Sequence, residues 1–288
     1  MKKAATPKEQ MYEVRPGQSV ELLKELHILT RDGRMNQDSR RKLKQIYHLM
    51  NFIEPLLTGM RQQPAELQIV DHGAGKSYLG FIIHDLYVRL HAPHSHIHGI
   101  ERRADLVERS RDLAARLGFA GMRFHGLSVA ESIVSPLLPA HPDLVTALHA
   151  CDTATDDAID FALKKQARAL VIVPCCQAEV AAHLRQGKAA ALARGAVAEL
   201  WRHPLHTREF GSHVTNVLRC LQLEAHGYQV SVTELVGWEH SLKNELIVAR
   251  RRDDARPQRQ AAQRLVELLQ MLGLAEVDAL RQRFYLPA

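Results

Sequence analysis

The residues best suited to chemistry lie in a short glycine-rich segment, Asp71–Ser77, which we call the glycine loop. The apolar run Leu67–Val70 precedes it and predicts a buried strand, and a helical pattern begins soon after it. Gly73 and Gly75 have no side chains, so a ligand can lie directly against the backbone there. The segment therefore predicts a ligand site where a strand turns into a helix.

Spacing separates the ligand classes that use such a turn. A P-loop for nucleoside triphosphates needs a glycine five residues before Gly75, and Val70 stands there, inside the predicted strand. A dinucleotide fingerprint needs a third glycine where Tyr78 stands, so NAD fits only in part. The pattern that remains consists of an acidic residue, Asp71, followed by the two glycines. A second acidic residue, Glu101, lies 26 residues after Gly75 at the end of the next predicted strand.

This arrangement resembles class I S-adenosylmethionine-dependent methyltransferases, whose first motif is acid-x-Gly-x-Gly. The resemblance implies that Asp71 anchors the loop, that Gly73 and Gly75 approach the methionine part, and that Glu101 holds the ribose. It implies S-adenosyl-L-methionine as the cofactor, and these candidate cofactor-binding residues: Asp71, His72, Gly73, Gly75, Glu101, His149 and, near the adenine, Gly126, Leu127 and Ser128.

Strand and helix patterns alternate along the middle of the chain, which predicts a parallel, doubly wound α/β sheet. A predicted helix at about 213–226 precedes the apolar runs Val230–Val236 and Glu245–Ala249. These runs predict a terminal antiparallel hairpin, as in a Rossmann-like seven-stranded methyltransferase sheet. We expect a helical basic extension at 1–60, an S-adenosylmethionine-binding domain at 61–252 and a helical extension at 253–288. The last of these contains one predicted amphipathic helix, at about 258–272. Pro55 predicts a kink or a restart in the first extension.

Cysteines follow two further predicted strands, Leu144–Leu148 and Ala169–Val173, in the segments Leu148–Asp156 and Val173–Gln177. Both segments resemble a methyltransferase-domain family that includes eukaryotic methyltransferase-like proteins and a glutathione-transferase-C-terminal-domain-containing protein. The family patterns read approximately His-Ala-Cys-Gly-x-x-Thr-Asp and Pro-Cys-Cys. Asp152 departs from them, because the family has glycine at that position.

Three explanations of these cysteines stay open. They pack as small apolar groups beneath the cofactor, they bind zinc with His149, or a thiolate attacks a pyrimidine ring and activates the neighbouring carbon for methylation. The adjacent pair lacks the usual Cys-x₂-Cys spacing, so no metal is expected. For an oxygen or nitrogen acceptor, the candidate bases are His149 and Asp152. The candidate catalytic residues are His149, Cys151, Asp152, Cys175 and Cys176.

Two further groups of residues have less specific patterns. Trp238, His240, Lys243 and Asn244 lie on the loop of the hairpin and border the acceptor or form an exposed turn. His94, His96 and His98 alternate along the second predicted strand, and we interpret them as surface or packing residues rather than metal ligands.

The positive charge of the chain is concentrated at its ends. The net charge is +6, with 11 basic and 7 acidic residues in 1–60 and 8 and 5 in 250–288, so the middle is nearly neutral. Basic ends favour an anionic partner, and with the resemblance they indicate RNA as substrate; solvated helix faces are the alternative. Methylation of a protein or small molecule, and a non-catalytic RNA-binding scaffold, are competing hypotheses.

The composition also bears on the location of the protein. Four cysteines, two of them adjacent, do not form a disulfide framework, which favours the reducing cytoplasm. No apolar run approaches the roughly 20 residues that span a bilayer, so no membrane association is expected.

Overall fold

The computed structural model of the chain describes residues 14–60, 66–148, 150, 152–174, 177–186, 196–235, 245–254 and 257–287. It divides into two compact units, Met1–Ser128 and Val129–Ala288. The domain boundaries expected after residues 60 and 252 remain predictions.

The first unit combines two N-terminal helices with a βαβαβ arrangement. Its strands are β1 (Gln68–His72), β2 (His96–Ile100) and β3 (Met122–His125), and its helices are α1 (Val20–Glu25), α2 (Gln37–Met60), α3 (Tyr78–Ile83) and α4 (Ala104–Leu117). A π-helical turn, His84–Val88, and a last turn, Arg89–His91, continue α3. The three strands are parallel, and the register pairs Asp71 with Gly99. The strand ends therefore bring the glycine loop and Glu101 to the same edge.

The second unit contains the remaining strands and the C-terminal helices. Its strands are β4 (Leu144–Ala147), β5 (Ala169–Ile172), β6 (Tyr228–Glu234) and β7 (Glu245–Arg251), and its α-helices are α5 (Val129–Val134), α6 (Thr153–Lys164), α7 (Glu179–Arg185), α8 (Pro204–Ala225), α9 (Arg259–Met271) and α10 (Asp278–Arg283). A 3₁₀ helix covers Ala196–Trp201. Strands β4 and β5 are completely buried, as expected for strands covered on both faces.

The strand order confirms the predicted fold class. The seven-stranded sheet has the order β3-β2-β1-β4-β5-β7-β6. Strand β7 pairs antiparallel with both β5 and β6, which confirms the terminal hairpin. The loop that joins its strands lies outside the described residues.

The N-terminal helix α2 does not restart at Pro55, because it runs from Gln37 to Met60, and the alternative of a kink remains a prediction. Buried side chains lie on both sides of the proline, including Met50, Ile53 and Leu57. Their packing offsets the backbone hydrogen bond that proline cannot donate.

The C-terminal helices of the second unit are packed rather than free. Leu265 and Leu269 of α9 and Leu280 of α10 join a buried cluster with Leu218 of α8. The sequence predicted α9 and missed α10, a helix of only six residues. Among the helices that the structure describes, none is long and apolar enough to cross a bilayer.

Candidate active site

The glycine loop is a tight turn that depends on its glycines. Gly73 and Gly75 have φ values of +63° and +55°, in the left-handed region where glycine has little steric cost. The amide of Ala74 donates to the Ile100 carbonyl at 2.9 Å, which ties the loop to the end of β2. Ser77 also has a positive φ, +51°, so the turn continues up to the start of α3.

Asp71 lies beneath this turn with 3% of its surface exposed. Its Oδ2 accepts a hydrogen bond from the Ser77 hydroxyl at 3.3 Å. A Cβ on Gly80 would lie 2.6 Å from Ser77 Oγ, so the first turn of α3 needs a glycine there. The hydrogen bond from Ser77 supports the anchoring role expected for Asp71. The requirement for a glycine at Gly80 was not predicted from the sequence.

Glu101 is bound directly to the glycine loop. Its Oε2 accepts a hydrogen bond from the Gly75 amide at 2.9 Å, and Oε1 accepts one from the Arg103 amide at 3.0 Å. Burial raises the pKa of Glu101, but hydrogen bonds from Arg103 and Gly75 and the Arg103 charge outweigh it, so the pKa lies below its ordinary value. The carboxylate is therefore ionised and oriented at the edge where a ribose is expected.

His72 is placed differently from the expectation. We expected it inside the loop, but it is the last residue of β1, because the strand extends one residue beyond Asp71. Burial lowers its pKa to about 4, and it is neutral at physiological pH. Its side chain is only 4% exposed, so it serves better as a packed wall of the site than as a proton carrier.

Gly126, Leu127 and Ser128 directly follow β3, at the same strand ends as the glycine loop. Gly126 is exposed, and a Cβ built on it would meet nothing within 4 Å. Leu127 and Ser128 are half-buried. The open space beside this segment is compatible with the adenine contact that the resemblance implies.

In the second unit, Asp152 occupies a backbone conformation typical of glycine. Its φ is +52° and its ψ is −122°, a combination that costs a non-glycine residue about 1–3 kcal/mol. The carboxylate Oδ1 accepts a hydrogen bond from the Ala178 amide at 2.9 Å, which offsets part of this cost. A glycine at this position would adopt the same backbone conformation without the steric cost.

Asp156 forms a buried ion pair that the sequence reasoning missed. Arg219 Nε and Nη2 donate to the two oxygens of Asp156, each at 2.7 Å, and Nη2 also donates to the Asp152 carbonyl at 3.0 Å. Nearby, the Thr155 hydroxyl donates to the Ala150 carbonyl. The threonine and aspartate of the motif therefore stabilise the turn that carries Asp152.

A polar network extends from this ion pair. Arg219 Nη1 and Gln177 Nε2 both donate to Asn216 Oδ1, at 3.1 and 2.9 Å. The Ser212 hydroxyl donates to Gln177 Oε1 at 2.6 Å, and Asn216 donates to the Glu245 carboxylate. The available signal was a charged residue, Arg219, on the apolar face of the helix predicted at about 213–226, because a buried arginine requires a partner.

Several candidate residues lie outside the described residues. They are His149, Cys151, Cys175 and Cys176 of the motifs, and Trp238, His240, Lys243 and Asn244 of the hairpin loop. Cys220 is described, and burial raises its pKa to about 12, so it is a neutral thiol rather than a nucleophile.

The histidines of β2 are packing and surface residues. His98 is buried and its Nδ1 lies 3.1 Å from His125 Nε2, while its Nε2 lies 3.2 Å from Gln68 Oε1. His96 is half-buried, and His94 is exposed before the strand begins. Within the described ranges, no group of three or more His, Cys, Asp or Glu side chains is arranged to hold a metal ion.

Comparison with protein families identifies the class of the enzyme. Residues 41–183 match a family model described as a methyltransferase domain, and that segment contains the glycine loop, Glu101 and Asp152. The chain is a methyltransferase that uses S-adenosylmethionine. Among curated proteins, none matches the sequence. The resemblance to the family with His-Ala-Cys and Pro-Cys-Cys motifs remains a prediction.

Similar solved structures include three methyltransferases of low sequence identity. One is magnesium protoporphyrin IX methyltransferase from Synechocystis PCC 6803 with bound SAH, at 14% identity and TM-score 0.46, covering 82% of this chain and 96% of that one. Another is precorrin-6y C5,15-methyltransferase from Geobacter metallireducens GS-15, at 16% identity and TM-score 0.39, covering 70% of this chain and 86% of that one. The third is an rRNA methylase from Streptococcus thermophilus, at 10% identity and TM-score 0.41, covering 70% of this chain and 95% of that one.

Proposed function

We propose that this methyltransferase acts on RNA in the cytoplasm. The observation that carries the proposal is the group of exposed cations at the start of α2, namely Arg41, Lys42 and Lys44. Arg41 pairs with Asp38 at 3.5 Å, and together with Lys42 and Lys44 it forms a basic surface within two turns of the helix. A polyanion that lies along this surface would form phosphate contacts with these cations.

For binding of the cofactor, the proposal assigns roles to the glycine loop and to Glu101. Gly73 and Gly75 let the methionine part approach the backbone, Asp71 holds the loop, and Glu101 accepts hydrogen bonds from the ribose hydroxyls. The residues fit the group, because the loop is preformed and the Glu101 carboxylate is ionised and held by two backbone amides. S-adenosylmethionine supplies a methyl group on a positively charged sulfur, and the chain aligns it with an acceptor.

For methyl transfer to the acceptor, we retain the candidate catalytic residues that the sequence indicates. His149 and Asp152 are the candidate proton acceptors, and Cys151, Cys175 and Cys176 are the candidates for a thiolate nucleophile. For Asp152 the geometry adds a condition. Oδ1 already accepts a hydrogen bond from the Ala178 amide and has one acceptor position left, so Oδ2 is the favoured proton acceptor.

The acceptor class is tested by incubating the purified chain with radiolabelled S-adenosylmethionine and a cell extract, then separating RNA, protein and small molecules. Label in RNA supports the proposal, and label only in protein or small molecules contradicts it. Absence of label, with cofactor binding retained, would favour a non-catalytic RNA-binding scaffold.

The role of the basic segment is tested by charge reversal. In the variant Arg41→Glu/Lys42→Glu/Lys44→Glu, we expect weaker RNA binding in a gel shift and a shallower dependence of the affinity on salt. The matched control reverses three exposed arginines outside the basic ends, Arg185, Arg202 and Arg208. Equal losses in both variants would show that only the total charge matters.

A further inference from the structure

The carboxylate of Glu101 accepts four hydrogen bonds from two residues. Oε1 accepts from the backbone amide of Arg103 and from its Nε, both at 3.0 Å. Oε2 accepts from the Gly75 amide at 2.9 Å and from Arg103 Nη2 at 3.3 Å. Half of these bonds therefore come from the backbone and half from one guanidinium group.

An ionised carboxylate offers about four acceptor positions, two on each oxygen. All of them face a donor in this structure, whereas a ribose brings two neighbouring hydroxyl groups that must each donate to an acceptor. The diol therefore finds an acceptor on Glu101 only when two of the present donors leave.

The two donors that can leave belong to the Arg103 side chain. The backbone amides are fixed by the glycine loop and by the turn that starts α4, but the Arg103 side chain is 64% exposed, against 12% for Glu101. The guanidinium also lies over the loop, since its Nη2 is 3.8 Å from the position that a Cβ on Gly75 would take. It therefore covers the surface where the cofactor is expected.

We infer that the Arg103 guanidinium occupies the diol site of the cofactor and is displaced when the cofactor binds. This inference rests on the proposed role of Glu101. Departure of the guanidinium frees one acceptor position on each oxygen, which matches a pair of neighbouring hydroxyls. The amides of Gly75 and Arg103 keep the carboxylate in place throughout. Arg103 thus lowers the affinity for the cofactor by competing with it.

The competition is tested by calorimetric titration of S-adenosylhomocysteine into wild type and Arg103→Met, which keeps a long side chain but no donor. Because exposed ion pairs are weak, we expect a roughly two- to fivefold lower Kd for the variant at low salt. The matched control is Arg102→Met, which removes an exposed arginine next in the chain and should leave the Kd unchanged.

Salt provides a second measurement. Between about 0.05 M and about 0.5 M NaCl, screening weakens the Arg103–Glu101 pair, so the Kd of wild type should approach that of Arg103→Met, whose own Kd changes less. Equal or weaker binding by Arg103→Met at low salt would overturn the inference while leaving the cofactor site intact. Absence of binding to wild type and to Arg103→Met would instead contradict the proposed role of Glu101.

Discussion

Arg219 and Asp156 form a two-point ion pair that is almost completely shielded from solvent, with side-chain exposures of 0% and 5%. The pair joins the start of α6 to the middle of α8, and the same guanidinium holds the Asp152 carbonyl. Removing one partner leaves an uncompensated buried charge, whereas removing both leaves none. The pair therefore makes the turn at Asp152 dependent on Arg219, 67 residues further along the chain.

Truncation of Arg219 should destabilise the fold strongly. For Arg219→Met we expect the free energy of unfolding to fall by about 3–5 kcal/mol, because Asp156 stays buried without its partner. The double variant Arg219→Met/Asp156→Leu should recover a large part of this loss. Urea denaturation followed by circular dichroism measures both, and a double variant no more stable than Arg219→Met would contradict the explanation.

Substitutions at Asp152 should separate strain, hydrogen bonding and catalysis. We expect Asp152→Ala to lose about 1–3 kcal/mol, because it keeps the positive φ and loses the bond to Ala178. Asp152→Gly should stay within about 1 kcal/mol of wild type, since relief of backbone strain offsets the lost bond. Thermal unfolding at fixed pH checks both values, and a glycine variant less stable than the alanine variant would be inconsistent with strain.

The variant Asp152→Asn addresses the proposed base. It has the same size and keeps an acceptor for the Ala178 amide, so the backbone strain is unchanged, but its amide does not accept a proton. If Asp152 is the base, we expect normal stability and unchanged cofactor affinity with a strong loss of methyl transfer. Methyl transfer at the wild-type rate would assign Asp152 a structural role alone.

Much of the candidate cofactor site could be predicted from the sequence, because its residues lie in short motifs whose spacing is informative. The glycine spacing and the acid 26 residues after Gly75 indicated two segments at one sheet edge, and the amide of Gly75 does contact Glu101. Arg103 was not predicted as a contact, because nothing in its position shows that its side chain folds back onto Glu101. Arg219 and Asp156 are 63 residues apart, and only the packing of α8 against α6 brings them together.

Neutralising Glu101 should weaken cofactor binding. For Glu101→Gln we expect a Kd roughly 10- to 100-fold higher, as expected when a charged acceptor of two hydroxyls is replaced by a neutral one. The pKa of Glu101 lies below its ordinary value, because hydrogen bonds from Arg103 and Gly75 outweigh burial, so wild-type affinity should hold through mild acid and fall only as the pH drops through this lowered pKa. Titration with S-adenosylhomocysteine over this range measures both effects, and a decline beginning near neutral pH would point to another group.

Buried neutral histidines should make the fold sensitive to mild acid. Burial lowers the pKa of His72, His84 and His98 to about 4. Between the unfolded value near 6.5 and about 4, the unfolded chain binds protons that the folded chain does not, so stability falls as pH decreases through this window. Each fully neutral group contributes up to about 1.4 kcal/mol per pH unit.

His84 offers the cleanest test of that slope. Its ring stacks on Phe119 with centroids 4.3 Å apart, and its Nδ1 is buried without a hydrogen-bond partner among the described residues. His84→Phe keeps an aromatic ring in this position and removes the titrating group. We therefore expect a smaller loss of unfolding free energy between pH 6.5 and pH 4 than in wild type, measured by urea denaturation at each pH. An unchanged slope would contradict the lowered pKa of His84, because a group contributes to the slope only when its proton uptake differs between the folded and unfolded chains.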